Sequence, residues 1–270
     1  MRRLRILYYW MFHCKNNINI LELIKFLLKP KVEKIAKKHI KNISLSNSFF
    51  EITFNTISKK LFWPEKFSVE GINQVTAETF DTHDWHYYQY KNTEIKNGEI
   101  VLDIGTAEGL FPLVVIDKCE HIYMIEPSQV FCGALHKTFS GFSDKTTIFN
   151  SAVGSVDDEV YFNEDSLAGQ ISEEKTGDNK IHLRKIDTLM KGKKITYLKA
   201  DIEGFEQEML LGAENTIKTN KPKIAITTYH KENNPQEIIN LIKSYVPEYK
   251  YFVKGIHGEE PKPVMLHFWI

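Results

Sequence analysis

The feature that most constrains the fold of this chain is an apolar strand that carries an acid and turns over two glycines into a helix. Residues 100–109 read Ile-Val-Leu-Asp-Ile-Gly-Thr-Ala-Glu-Gly, and a second apolar run, 121–125, ends on Glu126. A glycine turn lets a ligand approach the backbone closely, and a carboxylate at the next strand end can accept both hydroxyls of a ribose. The pattern therefore predicts a parallel α/β sheet that binds a nucleoside-carrying cofactor.

The turn itself favours S-adenosylmethionine over a dinucleotide. Gly105 and Gly109 are spaced GxxxG, whereas a dinucleotide site uses GxGxxG to seat a pyrophosphate at a helix N-terminus. Glu108 would repel a pyrophosphate, but Asp103 and Glu108 would attract the ammonium group of an aminoacyl sulfonium ligand. An NAD(P)-dependent oxidoreductase on a Rossmann-like fold stays open as the alternative.

Strands and helices alternate along the rest of the chain, which predicts a doubly wound, mostly parallel sheet. Helices are expected near 110–118, 129–139, 205–211 and 236–245, between strands at 100–103, 121–125, 146–150, 197–200 and 223–228. Two late strands, 250–254 and 266–270, are expected to form a hairpin at the sheet edge. The polar stretch 163–180 has no periodicity and is predicted to be a lid or a disordered loop.

Polar residues stand at the carboxyl ends of several predicted strands, where ligands bind in an open parallel sheet. A lone acid after a strand is more often a helix cap, but several such positions in one sheet favour a shared site. The predicted cofactor-binding residues are Asp103, Gly105, Glu108, Gly109, Glu126, Pro127, Ser151 and Asp201.

The charge distribution is uneven although the formal net charge is zero. Residues 1–60 hold 13 Lys and Arg against 3 Asp and Glu, so residues 61–270 carry the opposite excess. The acidic larger part argues against a nucleic-acid partner, because phosphate neutralisation supplies most non-specific affinity. Cys14, Cys119 and Cys132 form no metal-type spacing, which indicates reduced thiols and a cytoplasmic protein.

The N-terminal segment is predicted to be a separate basic appendage. We assign residues 1–75 to this helical appendage and residues 76–270 to the cofactor-binding domain, with two short helices in 18–43 broken at Pro30. The appendage would pack on the main domain or on a second subunit of a homo-oligomer. The alternative is peripheral contact of residues 1–43 with anionic lipid at the inner face of the membrane.

Several motifs together resemble the FkbM family of S-adenosylmethionine-dependent methyltransferases. They are Asp103–Gly109, Glu126-Pro127, Ile186–Leu189, the KxDxEGxE block from Lys199 to Glu206, and Leu211–Ala213. The resemblance covers roughly residues 78–232 and departs mildly at Thr106-Ala107, where the family more often has Ala-Asn. It implies a seven-stranded class I methyltransferase fold and O-methylation of a sugar or a related metabolite hydroxyl. The Lys-, Asn- and Ile-rich composition is typical of a low-GC bacterium, for which we expect a substrate of surface or capsular polysaccharide biosynthesis.

The candidate catalytic residues are His230, Asp201 and Glu203. Imidazole titrates near working pH, and His230 matches the aromatic-His ending of the family, so it is the first choice as general base. The acids of the 201–206 block can accept a proton or hold a divalent cation such as Mg²⁺. His83, His86 and the run Trp85–Tyr90 precede the first sheet strand and could line the substrate mouth. A non-catalytic docking module that keeps the fold is the second alternative.

Overall fold

The computed structural model describes residues 2–163, 170–172, 180–230 and 233–270. Its N-terminal part combines helices with a small antiparallel sheet, ordered β1-β2-β3. The elements are α1 (Arg2–Phe12), α2 (Ile20–Leu27), α3 (Val32–His39), β1 (Ile40–Ser46), β2 (Phe49–Phe54), β3 (Lys60–Pro64) and α4 (Val69–Phe80).

This part corrects the expectation that the appendage is helical throughout. The break between α2 and α3 falls at Pro30 as predicted, but the second helix ends at His39. At Ile40 the backbone becomes extended, with φ −75° and ψ 126°, and the residue pairs with Phe54 of β2. Ile40 and Ile43 continue the helical spacing of apolar residues but belong to a strand, because cross-strand pairing overrides that periodicity.

The larger part alternates strands and helices as predicted. Its first half contains β4 (Glu99–Ile104), α5 (Leu110–Val115), β5 (Cys119–Ile125), α6 (Gln129–Thr138), β6 (Thr146–Phe149), β7 (Ala152–Val153), β8 (Asp158–Asn163), β9 (Gln170–Ser172) and β10 (Lys180–Arg184). The second half contains α7 (Ile186–Leu189), β11 (Tyr197–Ala200), α8 (Glu206–Leu211), α9 (Glu214–Asn220), β12 (Lys223–Thr227), α10 (Pro235–Tyr245), β13 (Lys250–Lys254) and β14 (Met265–Trp269).

Seven of these strands form the central sheet, in the order β13-β14-β12-β11-β4-β5-β6. The five from β12 to β6 are parallel, while β14 runs antiparallel to both β12 and β13. This confirms the doubly wound sheet and the late hairpin at its edge. The order reverses beside β4, so the first strand lies at the centre and the turn after it opens at the topological switch point.

Alternate residues of each central strand pack into two different buried clusters, one on each face of the sheet. Val101 belongs to one cluster and Leu102 to the other. The Val101 cluster also contains Ile6, Leu23 and Trp63, so the N-terminal part packs on that face of the sheet. The expectation that the appendage packs on the main domain is therefore confirmed.

A second sheet, ordered β7-β10-β8-β9, lies between β6 and β11 in the chain. Strand β8 pairs antiparallel with β9 and with β10. Residues 164–169 and 173–179, most of the predicted lid, lie outside the described residues.

Candidate active site

The parallel register brings the predicted site residues to one edge of the central sheet. Asp103 lies opposite Met124 on one side and Lys199 on the other. Beyond the strand ends, the Gly105 N–H donates to Ile125 O at 3.0 Å and the Asp201 N–H donates to Ile104 O at 3.1 Å. The loops after β4, β5 and β11 are thus joined by backbone hydrogen bonds, and their side chains face a common space.

The turn after β4 requires glycine at two positions. Gly105 has φ +68°, and a Cβ there would overlap the carbonyl oxygen of Asp201. Gly109 has φ +85°, and a Cβ there would lie 2.5 Å from Leu135 Cδ2 in α6. The first glycine therefore lets the turn touch the loop after β11, and the second lets α5 begin close to α6.

Lys199 is the buried cation of this turn. Its Nζ lies 3.0 Å from Asp103 Oδ1 and donates to Gly105 O at 2.7 Å. Burial raises the pKa of Asp103 although Lys199 opposes it, and the charges of Asp103 and Asp201 raise the pKa of Lys199 although burial opposes them. Lys199 thus pairs with the acid on the neighbouring strand β4.

The Glu126 side chain links the loop after β4 to the loop after β5. Its Oε2 accepts the Ala107 N–H and its Oε1 accepts the Ser128 N–H, both at 2.8 Å. Burial raises its pKa to about 7, although both hydrogen bonds lower it. Each carboxylate oxygen can accept more than one donor, so the group can still receive the hydroxyls of a ribose. The carbonyl of Pro127 accepts from Asn150 Nδ2 at 2.9 Å, which fixes the following loop.

Two other predicted cofactor residues also have structural roles. Glu108 is buried, its Oε1 accepts the Leu110 N–H at 3.2 Å at the start of α5, and burial raises its pKa to about 7. Ser151 Oγ donates to the carbonyls of Ala152 and His182, at 2.7 and 2.9 Å. Its hydroxyl therefore links β7 to the strand beside it, and a contact with the cofactor stays a prediction.

Asp201 forms the centre of the second half of the site. Tyr88 Oη donates to its Oδ2 at 2.8 Å, Thr227 Oγ1 donates to its Oδ1 at 2.9 Å, and His86 Nε2 lies 3.5 Å from Oδ2. Burial raises the pKa of Asp201, but the interactions with His86, Lys199 and His230 and the hydrogen bond from Tyr88 outweigh it, so the pKa is lowered. Asp201 is therefore a carboxylate at neutral pH.

Glu206 holds the loop after β11 and the histidine in place. It is fully buried at the start of α8, and both of its oxygens are occupied. It accepts from four groups, namely the N–H of Ile202, the N–H of Gly204, His230 Nδ1 and Asn233 Nδ2, and Thr227 Oγ1 lies 3.1 Å from its Oε1. The turn that it stabilises includes Glu203 at φ +54°, a left-handed conformation that is uncommon for Glu.

His230 is surrounded by acids. Its Nδ1 lies 3.2 Å from Glu206 Oε1, and its Nε2 lies 3.2 Å from Glu203 Oε2 and 3.9 Å from Asp201 Oδ1. Burial lowers the pKa of His230, but the hydrogen bonds to Glu203 and Glu206 outweigh it and raise the pKa to about 10. An imidazole that is protonated at neutral pH cannot accept another proton. This environment favours the protonated imidazole, and the role of His230 as general base stays a prediction.

Four further residues contribute to the site, and the sequence marked only two of them. His86 and Tyr88 were singled out as aromatic neighbours, and both lie against Asp201. Thr227 is the last residue of β12, a position that could have been included with the other strand ends. Glu78 lies within α4, with its Oε2 3.8 Å from His86 Nδ1, and nothing in its local pattern marks it.

The same cluster offers the ligand types of a divalent cation. Asp201, Glu206 and His230 each provide one ligand atom, and these atoms lie within 4.8 Å of one another. However, both oxygens of Glu206 already accept hydrogen bonds, and the two ring nitrogens of His230 face Glu206 and Glu203. A cation would have to displace these partners, so the residues do not fit a divalent metal.

Comparison with known proteins identifies the fold. Residues 84–252 match the family described as the methyltransferase FkbM domain. The crystal structure of an FkbM methyltransferase from Methylobacillus flagellatus KT superposes with a TM-score of 0.54 at 22% identity, covering 75% of this chain and 56% of that one. The present chain thus spans just over half the length of that protein.

Two further structures are more distant. An rRNA methylase from Streptococcus thermophilus has a TM-score of 0.40 at 12% identity and covers 64% of this chain and 87% of its own. A precorrin-6y C5,15-methyltransferase from Geobacter metallireducens has a TM-score of 0.40 at 10% identity and covers 64% of this chain and 80% of its own. A comparison with curated proteins finds no match. The seven-stranded sheet is that of the class I methyltransferases.

Proposed function

This chain belongs to the FkbM methyltransferase family, and we propose that it transfers the methyl group of S-adenosylmethionine to a hydroxyl of a sugar or a related small metabolite. One observation carries the proposal. The glycine turn after β4, with its buried acids, lies directly against Asp201 and the proton-bearing cluster around it. A cofactor at the turn would therefore present its reactive end to that cluster.

The acids of the turn suit a ligand with an ammonium group and ribose hydroxyls. Asp103 Oδ1 is paired with Lys199 Nζ, but Oδ2 is buried without a hydrogen-bond partner among the described residues. Buried polar atoms without partners are costly, and a ligand that donates to them removes that cost. Asp103, Gly105, Glu108, Gly109 and Glu126 would hold the cofactor, which supplies an electrophilic methyl group when bound.

The nicotinamide alternative is disfavoured by the position of Glu108. Its carboxylate caps the N-terminus of α5, where the pyrophosphate of a dinucleotide would sit in a Rossmann site. Two negative groups at one helix start would repel each other. The buried carboxylate thus supports a ligand whose nearest group is positive or neutral.

Within the cluster, we assign the proton acceptor to Asp201. It is ionised, and it lies beside the turn that would hold the cofactor. The positive imidazole of His230, 3.9 Å from Asp201 Oδ1, stabilises the carboxylate and positions it. Glu203 is 38% exposed and contacts the same imidazole, so it can pass the proton to solvent. Orientation of the two substrates is the larger contribution, about 7–11 kcal/mol in well-arranged systems.

Aromatic rings beside the cluster support a sugar as the acceptor. Tyr229 and His257 stack with ring centroids 5.2 Å apart, and Tyr229 lies 4.3 Å from the His230 ring. Both rings are half-buried and offer an apolar surface beside polar groups. Such a surface matches a ring that carries C–H groups on its face and hydroxyls on its edge.

Methyl-labelled S-adenosylmethionine incubated with a panel of nucleotide sugars and simple glycosides tests the proposal. We expect a labelled product that is one methylene heavier, and we expect Asp201→Asn to lower turnover by about 10²–10⁴. Asp144→Asn, at an exposed acid in the loop before β6, is the matched control and should keep full activity. A chelator should leave the rate unchanged, because the cluster does not fit a metal. Transfer to amines alone would contradict the proposal.

A further inference from the structure

The two N-terminal helices each bury one apolar face against the rest of the molecule. Ile6 of α1 and Leu23 of α2 are fully buried in the cluster on one face of the central sheet. Arg3 Nη1 donates to Leu27 O at 2.7 Å, and Trp10 Nε1 donates to Ile18 O at 2.8 Å. The start of α1 therefore lies beside the end of α2, so the two helices form an antiparallel pair.

The pair is also fixed to the larger part of the chain. Phe26 of α2 stacks on Trp85 with ring centroids 3.7 Å apart, and Lys29 forms ion pairs with Asp81 and Asp84. Tyr9 Oη donates to Glu259 O at 2.8 Å. These contacts set which faces of the helices remain outward.

Each helix carries a second apolar stripe that the described residues leave exposed. In α1 the stripe consists of Leu4, Tyr8, Met11 and Phe12, and the last three lie four, seven and eight residues after Leu4. In α2 and at its end it consists of Ile20, Leu21, Ile24 and Leu28. These eight side chains are between 44% and 77% exposed. Their spacing places each set on one side of its helix.

Two exposed apolar stripes on neighbouring helices are unusual for a protein surface, since large apolar patches mark sites that another molecule covers. Basic residues accompany the stripes. Residues 2–28 hold five Lys and Arg against the single acid Glu22, and the side chains of Arg5 and Lys25 are exposed next to the stripes. This combination of apolar and positive groups is typical of helices that lie in a membrane interface.

We propose that the exposed stripes of α1 and α2 bind the surface of an anionic lipid bilayer. The helices would lie in the interface, because none of the helices in the described part of the chain is long and apolar enough to cross a membrane. The charge selects lipid over a second copy of this chain. A two-fold dimer would set the same positive surface against itself, whereas anionic headgroups neutralise it. The inference does not depend on the proposed methyl transfer.

Co-sedimentation of the full chain with vesicles tests this inference. We expect binding to phosphatidylcholine vesicles that contain about one third phosphatidylglycerol, and at least tenfold weaker binding to pure phosphatidylcholine. Raising the salt to about 0.5 M should also weaken binding by tenfold or more, because screening shortens the range of the charges.

Matched double variants identify the surface. F12S/L28S should lower binding to the anionic vesicles by at least tenfold, because it removes two exposed apolar side chains from the stripes. L45S/V156S removes two side chains of similar exposure elsewhere and should bind like the wild type. Equal binding by both double variants would overturn the proposal. Failure of the wild type to bind anionic vesicles at low salt would also overturn it. If the wild type instead formed a dimer that F12S/L28S disperses, the stripes would contact a second copy of the chain and not a bilayer.

Discussion

At the scale of single residues, the protonation of the Asp201 cluster determines which group can act as the base. The positive neighbours of Asp201 lower its pKa, while Glu203 and Glu206 raise that of His230 to about 10. The carboxylate is therefore available at neutral pH and the imidazole is not. This assignment reverses the order of preference that the residue types alone suggested.

The two candidate bases predict different pH profiles. If Asp201 accepts the proton, kcat at saturating cofactor should stay level from pH 7 to 9, because the carboxylate is fully ionised throughout. If neutral His230 were required, kcat would rise about tenfold per pH unit toward its pKa of about 10. Initial rates across this range, with stability confirmed at each pH, distinguish the two cases, and a steady rise would contradict the assignment.

Sequence alone predicted which candidate residues lie together better than it predicted their protonation. Asp103, Glu126, Asp201 and His230 were predicted together because the carboxyl ends of parallel strands meet at one edge. The protonation of His230 was not predictable, since it depends on three acids whose distances exist only in the fold. The contribution of Glu78 was invisible for the same reason.

At the scale of elements, the turn after β4 requires glycine at position 105 mainly because the backbone there lies close to Asp201 O, and less because its φ is positive. Gly105→Ala should lower the free energy of unfolding by about 2–3 kcal/mol and Tm by about 5 °C or more, because the new Cβ would overlap Asp201 O. Gly192→Ala provides the matched control, since Gly192 has φ +72° with nothing within 4 Å of a Cβ.

Thermal unfolding of both glycine variants measures this difference. The control should lose only the cost of a left-handed alanine, about 1 kcal/mol. Equal losses in the two variants would show that the contact between the turn and the loop after β11 does not require glycine. Added cofactor should protect Gly192→Ala from unfolding but not Gly105→Ala.

The sequence predicted the elements of the central sheet well and those of the N-terminal part poorly. The buried strands are short apolar runs bounded by turns, and their length favours a strand over a helix. Strand β1 is mostly exposed and reads Ile-Lys-Asn-Ile-Ser-Leu-Ser, so its apolar residues fit a helix as well as a strand. Only pairing with β2 makes it a strand, and such tertiary pairing is not local information.

At the scale of the whole molecule, the buried acids of the turn make stability depend on pH. Burial raises the pKa of Glu108 and of Glu126 from 4.5 to about 7. Between these values the unfolded chain binds fewer protons than the folded one, so stability falls as pH rises from about 4.5 to 7. Each group should contribute about 3 kcal/mol to this loss.

Urea unfolding of the wild type and of E108Q/E126Q at pH 5 and pH 8 isolates this effect. The wild type should lose several kcal/mol more than the double variant between the two values, because the amides do not titrate. An equal loss in both proteins would mean that these carboxyl groups titrate normally. Without a ligand, the burial of these acids destabilises the folded protein. A ligand that donates hydrogen bonds to them removes that destabilisation, so its binding is favoured.

The central claim is that the acid-lined turn binds S-adenosylmethionine, and calorimetric titration with S-adenosylhomocysteine tests it most directly. We expect micromolar binding by the wild type and by Glu120→Gln, an exposed acid at the other end of β5. Glu126→Gln should bind about 10–100-fold more weakly, because it loses charge-assisted acceptors. No binding by folded, ligand-free wild type, or binding of NADH instead, would contradict the account.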